Sequence, residues 1–332
     1  MIKAQFLKVM PVILRRIRSG SVQNENLVSP IPEQAANPTA QCQQQSQFLS
    51  RHFSSEYGSR DYKLYIPSHY DHSDQPLPLV VMLHGCAQDA EDFALGTDMN
   101  RWADQYRVLV AYPNQAKIAN LKRCWNWYKP KNQQVDRGEP ALIAGLTQAV
   151  MHNYRVDAQR VYIAGLSAGG SMAAIMGATY PELYAAMGVH SGLAVGSATH
   201  VLAALVAMRQ GSRSVQALSQ LPNFVPTIIF QGDQDRIVHL RNAELILAQA
   251  RQSLAASHAA LTTEQQTVLP PIGHAYTRTQ IKDVTGQTQI DYWLVQGAGH
   301  AWSGGNSSGS YTDPAGPNAS LEMLRFFLSH FL

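Results

Sequence analysis

The chain has 332 residues, 45% of them hydrophobic and only 15% charged, against roughly 25% charged in an average soluble protein. That composition excludes a disordered or collagen-like chain, and no run approaches the ~18 apolar residues of a membrane span. The net charge of +3 sits at the start, where Lys3, Lys8, Arg15, Arg16 and Arg18 have no acid beside them; taking those five away leaves −2, and no nucleic-acid footprint is expected.

The first apolar run, Val9 to Leu14, is shorter than the ~7 to 15 residues of a signal h-region and is followed by arginines, so a cleavable signal peptide is not expected. Ile2, Phe6, Val9, Met10, Ile13 and Ile17 could line a basic surface helix, but Pro11 speaks against it and a frayed tail is the favoured reading. Residues 19–55, rich in Ser, Asn, Pro and Gln, read as a flexible leader, with Cys42 as an incidental thiol. One globular domain is expected over residues 56–332.

Within it, Tyr62 to Ile66 alternates like a strand, and Leu79 to Leu83 and Val108 to Tyr112 are short apolar runs of the buried parallel type. Pro140 to Tyr154 reads as a helix, Val161 to Ala164 as a strand and Ser171 to Thr179 as a helix of small residues. Met187 to His190 and Thr227 to Phe230 add strands, Ala243 to Ala256 a helix, Tyr292 to Val295 a strand and Leu321 to Leu332 a final helix. This alternation predicts an α/β fold with a mostly parallel central sheet and helices on both faces. Residues 193–222 and 252–290 are candidates for a cap.

Gly165-Leu-Ser167-Ala-Gly169 follows a strand and opens a helix, the context that exposes a nucleophilic serine on a strained turn. Gly305-Asn-Ser307-Ser-Gly309 has the same pattern without strand or helix and reads as a loop. A serine needs a base, and the base an acid. Downstream, the loop after Thr227 to Phe230 offers Asp233 and Asp235; Asp235 is preferred because Ile237 and Val238 would anchor it, while Asp233 suits turn amides. Among the later histidines, His239 is too near in sequence, His258 and His274 lie in polar or Pro-rich connections, and His330 falls in the last helix, where exposure is expected. His300, in a Gly-flanked loop after a strand, is the expected base. The amides of Ala168 and Cys86 are the expected oxyanion donors, the latter in Leu83-His-Gly-Cys-Ala87. His84, Trp125, Trp127 and Trp302 are expected to line a substrate pocket. His69-Tyr-Asp71-His72 resembles a metal group superficially but lacks further ligands, and with three cysteines and no C-x-x-C pair neither metal nor cofactor is expected.

With these residues in hand, the chain resembles the poly(3-hydroxybutyrate) depolymerase family of esterases, relatives of feruloyl and acetylxylan esterases in the α/β-hydrolase superfamily. The resemblance rests on Leu83-His-Gly-Cys-Ala87, Tyr112-Pro113, Cys124-Trp-Asn-Trp-Tyr128, Arg160 to Gly170, Met208-Arg-Gln-Gly211, Gly299-His-Ala-Trp-Ser-Gly-Gly305 and the run from Gly309 to Phe327. It implies an α/β-hydrolase fold, a Ser167, Asp235 and His300 triad, a polyester or oligomeric ester as substrate, and a disulfide between Cys86 and Cys124. The family is usually extracellular, whereas the absence of a recognisable signal leaves a cytoplasmic place open. With 32 residues after His300, no separate polymer-binding domain is expected. Feruloyl, acetylxylan or general short-chain ester hydrolysis, acyl transfer, and a catalytically silent binding protein are the rival readings.

Overall fold

The computed structural model describes residues 45–332 except 69, 71–73, 213–222 and 258–259. Cys42, the basic start, His69, Asp71, His72 and His258 therefore lie outside the described residues.

In chain order the elements are β1 (Gln47–Ser55), β2 (Gly58–Ile66), β3 (Leu77–Leu83), α1 (Ala90–Thr97), α2 (Met99–Tyr106), β4 (Leu109–Pro113), α3 (Gly138–Asn153), β5 (Val156–Leu166), α4 (Ala168–Thr179) and β6 (Ala186–His190). There follow α5 (Val201–Gln210), β7 (Thr227–Gly232), α6 (Arg241–Ser257), β8 (Thr262–Val268), β9 (Tyr276–Lys282), β10 (Thr288–Val295), the two-residue strands β11 (Trp302–Ser303) and β12 (Thr312–Asp313), and α7 (Ala319–Phe327). Ten strands form one sheet in the order β1-β2-β4-β3-β5-β6-β7-β10-β9-β8. The central six, from β4 to β10, run parallel, and antiparallel pairs flank them.

The apolar runs explain both layers. Side chains alternate across a strand, so Leu79, Val81 and Leu83 join Ile143, Met172 and Met176 of α3 and α4 on one face. Val80 and Met82 point the other way, to Phe93, Met99 and Phe327 of α1, α2 and α7. Further along the first face, α6 packs Ala243 and Ile246 on Val189 and Ile229. Helices on both faces leave the carboxyl ends of the parallel strands as the edge where loops converge, the usual place for chemistry in such sheets.

Three expectations shift. Residues 47–55, expected to fall in the flexible leader, instead form β1 and pair with β2 through nine residues; Leu49 and Phe53 pack on the core and Phe48 meets Tyr112 edge-on, contacts that the polar neighbours obscured. Part of the candidate cap, residues 262–268 and 276–282, instead extends the main sheet as β8 and β9. His330 is buried: its ring nitrogens lie 2.8 Å from the carbonyl of Phe326 and 3.0 Å from that of Thr288.

On β10, Asp291 is only 1% exposed and is satisfied by Arg278 of β9, with Nε to Oδ1 at 2.9 Å and Nη2 to Oδ2 at 2.6 Å. The same guanidinium lies 4.5 Å from the Trp293 ring centre. Arg278→Leu would strand a buried carboxylate, and a loss of about 3 kcal/mol is expected, read as a lower urea midpoint with unchanged slope.

Candidate active site

The carboxyl end of β5 turns directly into α4, and Ser167 is the pivot, with φ 57° and ψ −117°. A non-glycine residue there carries strain of about 1–3 kcal/mol, and the surroundings hold it. Its amide donates to the His190 carbonyl at 2.8 Å, and its carbonyl accepts the Ser171 amide at 2.9 Å. The turn is this tight because Gly165 and Gly169 lack side chains: a Cβ on Gly165 would lie 2.7 Å from the Leu83 carbonyl oxygen, and one on Gly169 would overlap that same oxygen outright. The second match, Gly305 to Gly309, is a loop resting on α1, its Asn306 amide bonded to the Gly96 carbonyl.

Two strands over from β5, the loop after β7 presents Asp235, and the loop after β10 presents His300. Their side chains meet, His300 Nδ1 to Asp235 Oδ2 at 2.7 Å. Asp235 Oδ1 accepts the amides of Ile237 and Val238, each at 2.8 Å, and Gln231 Nε2 donates to Oδ2 at 3.2 Å. Burial alone would raise this carboxyl, but the hydrogen bond and charge of His300 and the two amides together hold it below the usual carboxylate range. The carboxylate thus stays ionised and fixes the proton on Nδ1, which leaves Nε2 as the basic nitrogen. Asp233 instead accepts the Gly297 amide at 2.7 Å, a turn role. Of the two anchors expected for the Asp235 loop, Val238 is buried while Ile237 is 49% exposed.

The two amides expected to receive an oxyanion lie after β3 and at the start of α4. Ala168 opens α4, where the first amides have no intrahelical acceptor. Among the described residues the Cys86 amide likewise has no acceptor, whereas that of Ala87 is taken by the Lys122 carbonyl at 2.7 Å. A disulfide joins Cys86 to Cys124, the pairing that the resemblance implies, with a Cα–Cα distance of 4.2 Å.

The expected substrate contacts are placed differently. His84 has no exposed surface, and both its nitrogens are committed to backbone: Nδ1 to the Gly85 carbonyl at 2.7 Å, Nε2 to the Gln115 amide at 3.0 Å. It holds the loop from beneath and is corrected from a pocket residue to a scaffold one. Trp302, 1% exposed, is also core, its Nε1 donating to Ser320 and its ring lying on His190 and against Phe93. Trp125 is buried beside His84, and Trp127 is nearly so, edge-on to Tyr128.

Sequence reasoning passed over His190. It ends β6, between the strands that carry the serine and the acid, a position that could have marked it. Its ring stacks between Phe230 and Trp302, and Nε2 accepts the Ser303 amide at 3.0 Å, tying down the segment just after His300. It also passed over Glu139, Gln115 and Asn126, polar groups buried behind the loop that carries Cys86.

His84 and His190 are both buried neutral. Burial pushes His84 down to about 4 against the opposing pull of the Gly85 carbonyl, and burial followed by the nearby His300 charge pushes His190 down to about 3. The unfolded chain takes protons on both rings as pH falls through about 6.5, while the fold refuses them. Stability is therefore full above about pH 6.5 and falls below it, by roughly 3–5 kcal/mol at about pH 4.5. Urea midpoints across that range check the loss, and His190→Gln should flatten the slope by roughly a third to a half, since burial lowers His330 as well.

Comparison with known proteins adds an independent line. The family model described as "Esterase PHB depolymerase" matches residues 60–261. Poly(3-hydroxyalkanoate) depolymerase C of Paucimonas lemoignei is 34% identical over 134 residues, 40% of this chain and 32% of that protein. Feruloyl esterase B of Neurospora crassa is 36% identical over 117 residues, 35% of this chain and 39% of that one. The chain thus spans about a third of the length of these curated relatives. Acetyl xylan esterase from Aspergillus awamori aligns over 84% of this chain and 98% of its own with a TM-score of 0.64 at 18% identity, a likeness of fold.

Proposed function

The chain belongs to the esterase PHB depolymerase family, and from that premise we propose that it is a serine esterase acting on 3-hydroxyalkanoate oligomers or polyester through an acyl-enzyme. The observation that carries the reading is the strained Ser167 at the end of β5, on the same sheet edge as the 2.7 Å His300–Asp235 pair.

In this mechanism Ser167 Oγ attacks the ester carbonyl carbon as His300 Nε2 takes the hydroxyl proton. The carbonyl oxygen becomes an oxyanion and is received by the amides of Cys86 and Ala168. Asp235 stabilises the imidazolium. As the C–O bond to the alcohol breaks, His300 returns the proton to the leaving oxygen. Water, deprotonated by His300, then attacks the acyl-enzyme, and collapse frees the acid and restores Ser167. Every proton and electron pair is accounted for by the triad and water. The likeness to feruloyl esterase B supports a second reading, a plant-wall or other carboxylic ester as substrate.

Hydrolysis of 3-hydroxybutyrate oligomers, p-nitrophenyl butyrate and methyl ferulate by the wild type and two variants tests the proposal. Ser167→Ala should abolish turnover of all three, and Asp235→Asn should lower kcat by about 10⁴-fold, because the imidazole is no longer held in the productive tautomer. The highest kcat/KM should fall on the oligomers. A highest value on methyl ferulate would favour the second reading, and unchanged rates in a folded Ser167→Ala would sink the mechanism.

A further inference from the structure

Behind the oxyanion loop lies a buried carboxylate that the mechanism does not use. Glu139, in the first turn of α3, is 6% exposed. Oε1 accepts Gln115 Nε2 at 2.5 Å and Asn126 Nδ2 at 2.7 Å, and Oε2 accepts the Asn126 amide at 2.7 Å. Arg60, equally enclosed, places Nη2 at 3.6 Å from Oε1. An ion pair this far inside is weak evidence for stability, since desolvation offsets most of the attraction. What distinguishes it is where the hydrogen bonds lead.

Gln115 follows β4. Its side chain also donates to the Cys124 carbonyl at 3.0 Å, and its amide donates to His84 Nε2 at 3.0 Å. His84 Nδ1 in turn donates to the carbonyl of Gly85, the residue before Cys86. Asn126 sits two residues after Cys124, which is bonded through sulfur to Cys86. The peptide that presents the Cys86 amide is thus fixed by one polar bridge and one covalent bridge, and both run back to Glu139.

We infer that Glu139 is a positioning residue for the oxyanion hole, acting through Gln115 and His84 on one side and through Asn126 and the Cys86–Cys124 disulfide on the other. The inference rests on the reading that the Cys86 amide receives the oxyanion. A carboxylate is the group suited to the place, because every neighbour is a donor and an ionised carboxylate only accepts. A glutamine of equal size would turn its own N–H groups toward at least one of them.

The test uses the full chain with its disulfide intact, in Glu139→Gln and separately Gln115→Ala, with p-nitrophenyl butyrate as substrate and a trifluoromethyl ketone as inhibitor. The adduct of that ketone with the serine carries an oxyanion in the hole. With active sites counted by titration, kcat per site should fall about 10- to 100-fold while KM stays within about two-fold. Inhibitor affinity should weaken by the same factor as kcat/KM. A purely structural role would lower the number of active sites and leave kcat per site and inhibitor affinity untouched, and that result overturns the inference. Should Glu139→Gln fail to fold, Gln115→Ala decides alone, since it keeps the Glu139 charge and the backbone bond to His84 but removes the side-chain bonds that link Glu139 and the Cys124 carbonyl to that loop. A wild type inert to both ester and ketone would instead remove the esterase reading, and the inference with it.

Discussion

Everything at the site follows from one backbone conformation. Ser167 stands at φ 57° between a strand and a helix, a shape that an L-residue adopts only when its surroundings enforce it. The enforcement is close packing: Gly165 and Gly169 let β5 and α4 meet the carbonyl of Leu83 on β3, and the His190 carbonyl on β6 grips the Ser167 amide. The same turn leaves the Ala168 amide without an intrahelical acceptor at the helix start. In the proposed mechanism, one geometric constraint therefore supplies both the nucleophile and an oxyanion donor.

The sheet order converts that local feature into a site. Strands β5, β6, β7 and β10 are consecutive neighbours and parallel, so their exit loops share one edge although Asp235 and His300 lie 65 positions apart in the chain. Beneath the edge lies a layer of buried polar groups that serve the backbone. His190 holds the segment after His300, and His84 with Gln115 and Glu139 holds the loop of Cys86. Desolvation keeps both imidazoles neutral, which preserves their acceptor nitrogens and with them the shape of the loops.

How far this was legible in the sequence depended on the kind of signal. Fully buried strands such as Leu79 to Leu83 announce themselves by continuous apolar runs, and the glycines around Ser167 mark a turn that only small residues permit. The choice of Asp235 over Asp233 followed from its neighbours, and the structure gives Asp233 the turn role expected of it. Edge strands were opaque because exposed positions need no apolar pattern: β8 reads Thr-Thr-Glu-Gln-Gln-Thr-Val and is held by its ladder to β9. Trp302 and His84 were misread as pocket residues because residue type and nearness to His300 or Cys86 in the chain do not reveal which way a side chain turns. Glu139 was hidden for the opposite reason, since a lone acid in a helix's first turn usually faces solvent and complements the helix dipole.

The central claim is that Ser167 is the activated nucleophile, and covalent capture addresses it most directly. Diethyl p-nitrophenyl phosphate, an ester mimic that traps activated serines, would be reacted with the native protein and the adduct located by peptide mass spectrometry. The account predicts one diethylphosphoryl group per chain, on the peptide containing Ser167. Adducts spread over other serines, Ser307 among them, or no adduct on a protein with native circular dichroism, would contradict it.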